Sequence, residues 1–300
     1  MAENITMGQA LEPEVPPTGI RVVWRELKKD RLAMTSLVFL ILLILVIFIG
    51  SLLVDQNQAL QIDMLNRYTA PNSEFLLGTD EGGRDILTLL LIGARNSILI
   101  GVAVTILTSL IGITVGLISG YYGGAVDNVI MRIIDFIMIL PTTMLIIVFI
   151  AVVPKYNMVT FVLIMSAFYW VGQARLIRSR ALAETEKDYI SASKTMGTPD
   201  WKIIFKELMP NLSSLIIINL TLNFAGNIGI ETGLSFLGFG LPTSTPSLGT
   251  LISYATSPEV IQNYPWVWLP ASFLILVLMI CINYVGQALK RSADAKQRLA

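Results

Sequence analysis

The sequence predicts an all-α, polytopic membrane fold with six transmembrane helices, and three observations predict it. Of 300 residues, 54% are hydrophobic and 14% charged, with a mean hydropathy of +0.69, well outside the composition of ordinary soluble domains. Uncharged stretches long enough to cross about 30 Å of hydrocarbon recur along the chain. Lysines and arginines gather in alternate connecting segments, the asymmetry that orients multi-span proteins.

The elements follow in order. Met34 to Val54 is the cleanest span; it is longer than a signal-peptide core and lacks a convincing small-x-small cleavage site, so it reads as a retained anchor. Further uncharged stretches run from Asn96 to Val126, Phe136 to Pro154, Tyr156 to Ala174, Leu208 to Ile230 and Val260 to Leu289. Residues 1–33 form an N-terminal tail that begins with the irregular "LEPEVPPTG" and turns basic before the first span. Residues 34–85 hold that span and a loop ending in "LGTDEGGRD", whose glycines and short polar groups suit tight turns and a helix start. Residues 86–289 form a core bundle of five helices, interrupted by a polar segment at about 184–210, and 290–300 are a C-terminal tail.

Basic residues fix the orientation. Arg21, Arg25, Lys28, Lys29 and Arg31, the turn at Arg132, the segment Arg175 to Lys206, and Lys290, Arg291, Lys296 and Arg298 fall on one side of six spans. The other side holds Arg67, Arg84, Arg95 and Lys155. The richer side is cytoplasmic, as are both termini.

Several chemistries find no residues. The chain has no histidine, which removes the commonest metal ligand and general base. Its lone Cys281 sits in the last apolar run as a small packing residue. Formal net charge is zero, and no nucleic acid is expected among the partners. No G-x-x-x-x-G-K-[ST] phosphate loop occurs.

Two spans carry patterns. "GITVGLISGYYGG" places Gly112, Gly116, Gly120 and Gly124 four apart, a small-residue ridge that lets helices touch in lipid; Gly229 and Gly233 read the same way. "NLTLNFAGNIGIETGLSFLG" puts Asn219, Asn223, Asn227, Glu231 and Ser235 at intervals of four. Lipid satisfies none of these groups, so the stripe faces either other helices, as hydrogen-bonding glue, or a water-filled path. Asp135 pairs with Arg132 or Arg175, or stands free near the membrane.

The polar segment parses into two short helices meeting at a glycine elbow. From Glu184 to Met196 charges alternate with Tyr189, Ala192 and Met196, and Gly197 suits a left-handed stop. Thr198 offers an N-cap with Pro199 at the first helical position. Trp201, Ile204, Phe205 and Leu208 then follow at i, i+3, i+4, i+7, an amphipathic helix ending near Pro210.

At these residues "AxxxMGTPDWKIIFKELMPN" resembles the cytoplasmic coupling loop of importer-type ABC permeases, whose pattern is Glu-Ala-Ala, three residues, Gly, nine residues, Ile-x-Leu-Pro. Ala192, Gly197 and Pro210 match, whereas Ser191, Ser193, Glu207 and Met209 stand where the pattern has Glu, Ala, Ile and Leu. "LGTDEGGRDILTLLLIGARNS", "GYYGGAVDNVIMRIIDFIMILP", "ETGLSFLGFGLPTSTPSLGTLIS" and "YPWVWLPASFLILVLMICINYVGQALK" are similar to the second permease of dipeptide and oligopeptide ABC importers, with Leu89 at a position often arginine and Leu248 at one often tryptophan. The resemblance covers the chain from about Trp24.

The resemblance implies a transport subunit of a bacterial or archaeal cell membrane, not an enzyme. It implies a homologous second permease, two ATPase subunits that bind ATP and Mg, an extracytoplasmic peptide-binding protein, peptide substrate and surrounding lipid, with no cofactor in this chain. Asn219, Asn223, Asn227 and Glu231 are then the expected path-lining residues. Ala192, Met196, Gly197, Trp201, Ile204, Phe205, Leu208 and Pro210 are the expected ATPase contact, with the Trp201 helix buried by a groove of that partner. Two alternatives stand beside this reading: a nickel-importing permease of the same class, and an ion-coupled transporter using Glu231 and Asp135 as proton relays.

Overall fold

A computed structural model describes residues 28, 30–154, 156–242 and 244–297, with side chains as far as Arg291. Arg21, Arg25, Lys29, Lys155, Arg298 and the "LEPEVPPTG" tail lie outside the described residues, as does the side chain of Lys296. Among those described the chain is helical, with one isolated bridge between Thr79 and Asp85.

The helices are α1 (Arg31–Leu53), α2 (Gln56–Ala59), α3 (Ile86–Tyr122), α4 (Gly124–Ile139), α5 (Thr142–Val152), α6 (Met158–Thr185), α7 (Asp188–Thr195), α8 (Asp200–Lys202), α9 (Met209–Asn211), α10 (Ser213–Phe236), α11 (Leu248–Ser253), α12 (Pro258–Asn263) and α13 (Pro265–Gln297). A π-helical turn, Ile203–Leu208, joins α8 to α9. Side-chain oxygens start several of them: Asp30 accepts from the Ala33 amide, Asp85 from those of Leu87 and Thr88, Asn157 from that of Thr160, and Ser247 with Thr250 forms a capping box.

Five helices are long and apolar enough to cross a membrane (α1, α3, α6, α10 and α13), and α4 with α5 forms a sixth candidate bent by 77°. The third span was expected as one stretch, Phe136 to Pro154. Instead Pro141 interrupts it: proline has no N–H and holds Leu140 extended, at ψ 138°. Span α3 begins at Ile86 rather than Asn96, because Arg95 lies toward its N-terminal end, where a long side chain is tolerated. Span α10 begins at Ser213 and runs past Glu231 to Phe236 because that carboxylate is satisfied inside the protein.

The bundle is organised around α3 and α6. Gly112, Gly116 and Gly120 press on α6 so closely that an added Cβ at Gly116 would lie 2.6 Å from the Ala174 carbonyl oxygen, and one at Gly120 would lie 2.5 Å from the Ala181 Cβ. The ridge stops there: Gly124 starts α4 with no neighbour within 4 Å, so its expected packing role is corrected. Gly229 touches Met279, whereas Gly233 faces open space and packs nothing. Polar pairs fix the periphery. Asp127 on α4 accepts from Arg178 Nε at 2.8 Å and from Ser119, Asp135 pairs with Arg175, and Arg291 binds Asp30 at 2.8 Å.

Overpacking a close helix contact costs about 1–3 kcal/mol. Gly116→Ala and Gly120→Ala should therefore each lower the thermal unfolding temperature of the solubilised protein, whereas Gly233→Ala should change stability by no more than about 0.5 kcal/mol.

Candidate functional site

Two neighbourhoods hold the residues singled out by the sequence. At one end of α3, a 37-residue helix about 55 Å long, lies the hairpin made of α7, α8, the π turn and α9. Gly197 takes φ +77°, and the Thr198 amide donates to the Ser193 carbonyl at 3.1 Å while the Gly197 amide donates to Lys194 at 3.0 Å. This pair of bonds closes a helix on a left-handed residue, as the glycine suggested. The next helix starts one residue later than expected: Pro199 is the cap, extended at ψ 143°, and Thr198 makes no capping bond. Asp200 occupies the first turn and accepts from the Tyr121 hydroxyl at 2.8 Å.

The π turn corrects a second expectation. Its i→i+5 bonding rotates side chains away from α-helical register, so Trp201, Ile204, Phe205 and Leu208 do not share one outward face. Ile203, Ile204 and Leu208 are buried with Leu117, Ile177, Ala181, Ile190 and Leu212 in one apolar cluster of the chain itself. Trp201 is 59% exposed, Met196 75% and Phe205 37%, with Ala192, Gly197 and Pro210 also at the surface. Half of the amphipathic pattern thus anchors the hairpin, and the other half forms an apolar tip.

Sequence reasoning missed what stiffens the hairpin. Ser193 donates to Glu207 at 2.6 Å, bridging the two arms. These are two of the positions that depart from the coupling-loop pattern, and their joint change from apolar to polar was the available signal. Asn211 donates to the Tyr189 hydroxyl at 3.1 Å, and Tyr189 to Glu184 at 3.2 Å. Burial, with the Glu184 charge adding to it, pushes the Tyr189 phenol up to about 12, so this bridge keeps its proton at physiological pH.

The polar stripe of α10 divides. Asn219 and Asn223 are half-buried: Asn219 donates to the Leu215 carbonyl at 2.9 Å, Asn223 to Gln173 at 3.4 Å. Asn227 is buried and donates to Thr105 of α3 at 2.9 Å. Glu231 is 0% exposed and accepts three hydroxyls, from Ser97 at 2.9 Å, Ser235 at 2.9 Å and Ser247 at 2.7 Å. Ser97 also accepts the Leu248 amide at 3.0 Å, and Asn96 donates to the Pro246 carbonyl at 2.8 Å. The carboxylate therefore ties the loop after α10 to α3 and, in this conformation, faces no solvent.

Comparison with known proteins adds the family. Residues 112–298 match the model for the binding-protein-dependent transport system inner membrane component, and residues 19–71 that for the N-terminal TM domain of oligopeptide transport permease C. The chain is 50% identical over 279 residues to the oligopeptide transport system permease protein OppC of Lactococcus lactis subsp. cremoris, covering 93% of this chain and 95% of that one. It is 34% identical over 275 residues to the dipeptide transport system permease protein DppC of Bacillus subtilis, covering 92% and 85%. Among solved structures, a chain of the MetNI methionine ABC transporter in an inward facing conformation shares the fold, with a TM-score of 0.54 at 20% identity over 69% of this chain and 97% of that one.

If Ser193 and Glu207 act as one pair, Ser193→Ala and Glu207→Ile should destabilise less together than the sum of the two singles. The double-mutant cycle on thermal unfolding should return a coupling of about 1 kcal/mol.

Proposed function

The chain belongs to the inner-membrane components of binding-protein-dependent transport systems, and on that premise we propose that it is the permease subunit through which an ATP-binding-cassette importer passes oligopeptides into the cytoplasm. The likeness to an oligopeptide permease over nearly the full length of both chains carries this reading. The nickel alternative is not favoured, since the similar permeases are named for oligopeptides and dipeptides. Membership of the family also displaces the ion-coupled transporter.

In this reading both termini and the hairpin are cytoplasmic, and ATP with Mg is bound by two separate ATPase subunits. A homologous permease completes the path, and an extracytoplasmic peptide-binding protein supplies the cargo. The exposed Met196, Trp201 and Phe205 enter a groove of the ATPase, with Ala192, Gly197 and Pro210 at its rim. Ile204 and Leu208 contribute from beneath, by fastening that tip to α3 and α6. A hairpin so fastened moves as one piece with the bundle, which lets nucleotide-driven closure bias it between inward- and outward-open states. Asn219 and Asn223 offer amides to the path from the half-buried face of α10. Asn227 and Glu231 reach it only in a state that opens their present bonds to Thr105 and the three serines.

Uptake of a labelled oligopeptide by proteoliposomes holding the full set of subunits should require ATP on the cytoplasmic face and persist when a protonophore collapses the ion gradients. Uptake by this chain alone, abolished by the protonophore, would overturn the ATP-driven reading. Trp201→Ala with Phe205→Ala should weaken retention of the ATPase subunits on affinity purification by about tenfold or more, the scale of losing buried aromatic anchors, while leaving membrane insertion unchanged.

A further inference from the structure

At the end of α3 opposite the hairpin lies a cavity of about 810 Å³, walled by the loop between α1 and α3 on one side and by the α11–α12 segment on the other. Its size falls within the roughly 300–1,000 Å³ of small-ligand sites. The walls are fixed by a buried polar centre. Asp80, fully buried, accepts from the amides of Gly82 at 2.8 Å and Arg84 at 2.9 Å, from the Arg84 guanidinium at 2.8 Å and from the Tyr254 hydroxyl at 3.0 Å. Tyr68 stacks on Tyr264 with ring centroids 4.0 Å apart, and Trp266 donates to the Thr79 carbonyl at 3.3 Å. The floor includes Leu241 and Pro246, on the loop that Ser247 and Asn96 hold in place.

The charges at the lip do not balance. Asp80 and Tyr254 occupy Arg84, and Arg67 lies over the Tyr68 ring at 5.1 Å. Glu81 and Glu259 line the cavity from opposite walls and, among the described residues, make no side-chain hydrogen bond or ion pair. Two exposed carboxylates with no hydrogen bond or ion pair among the described residues stand beside one guanidinium that lacks a carboxylate. Ile62 and Met64 supply exposed apolar surface to the same cavity.

We propose that this cavity is a receiving site for the amino-terminal end of a peptide entering from outside, its ammonium held by Glu81 and Glu259 and its first side chains laid on the Ile62 and Met64 surface. The proposal rests on the peptide-import reading and adds a place and a polarity to it: the free amino terminus enters first.

The test uses the complete complex with Cys281→Ser and a reporter, Thr256→Cys on one wall or Met64→Cys on the other, labelled by a membrane-impermeant maleimide. Free tetra-alanine should slow labelling at both reporters, and N-acetyl tetra-alanine should need about threefold or more higher concentration, the scale of an exposed ionic contact. Glu81→Gln with Glu259→Gln should abolish the difference between the two peptides. Leu65→Cys, which lies outside the cavity lining, should label at the same rate throughout. No protection by tetra-alanine, equal protection by both peptides, or a difference that survives the double substitution would overturn the site. Measuring ATP-driven uptake of tetra-alanine in the same preparation separates the two readings. Uptake without protection overturns the receiving site and leaves import standing; protection without uptake supports the site and counts against import.

Discussion

Three glycines bring two helices into backbone contact, and the remainder of the molecule is hung on that contact. In lipid no hydrophobic force drives one apolar helix onto another, so association depends on close packing and on polar groups that need partners. Gly112, Gly116 and Gly120 supply the close packing of α3 on α6. At the hairpin end of the seam, Leu117, Ile177 and Ala181 form the bed on which Ile203, Ile204 and Leu208 lie, while Asp127 bridges Ser119 to Arg178. Because α3 continues to Ile86 at its other end, the same rod also carries the loop that walls the cavity there.

Polar groups in this apolar body fasten helices to one another. Asn227 joins α10 to Thr105 of α3, and Glu231 gathers three serines from α3, α10 and the start of α11. An unpaired group of this kind costs several kcal/mol in hydrocarbon, so each pair specifies the arrangement in which it is satisfied. The half-buried Asn219 and Asn223 are less committed, one bonded within its own helix and the other by a long contact to Gln173. The stripe thus grades from available amides near the hairpin to a closed knot beneath the loop after α10.

Both ends of the bundle show stiff supports behind exposed surfaces. At the hairpin, the Schellman turn at Gly197 and the Ser193–Glu207 bridge fix the angle between two arms whose tips carry Met196, Trp201 and Phe205. At the other end, Asp80, Arg84 and Tyr254 close a buried triangle behind the exposed Glu81 and Glu259. Burial, reinforced by the Asp80 charge, drives the Tyr254 phenol well above its ordinary range, so it remains a donor at every physiological pH.

The sequence by itself determined the helical class, the apolar middle of each span though not its ends, the glycine seam and the left-handed elbow at Gly197, because each depends on composition, short-range periodicity or the backbone freedom of one residue. Tertiary structure decided the rest. The break at Pro141 was visible as a proline, but the 77° bend between α4 and α5 was not, because proline interrupts a helix without fixing the direction of the next one. The pattern at Trp201, Ile204, Phe205 and Leu208 was legible as amphipathic; which members face inward was not, because a π turn shifts the register in response to the cluster beneath it. Glu231 stood out as an intramembrane carboxylate, yet its three serines lie at positions 97, 235 and 247. Periodicity reports neighbours a turn apart on one helix, whereas satisfaction of a buried polar group is settled between helices, by contacts that form only when the chain has folded.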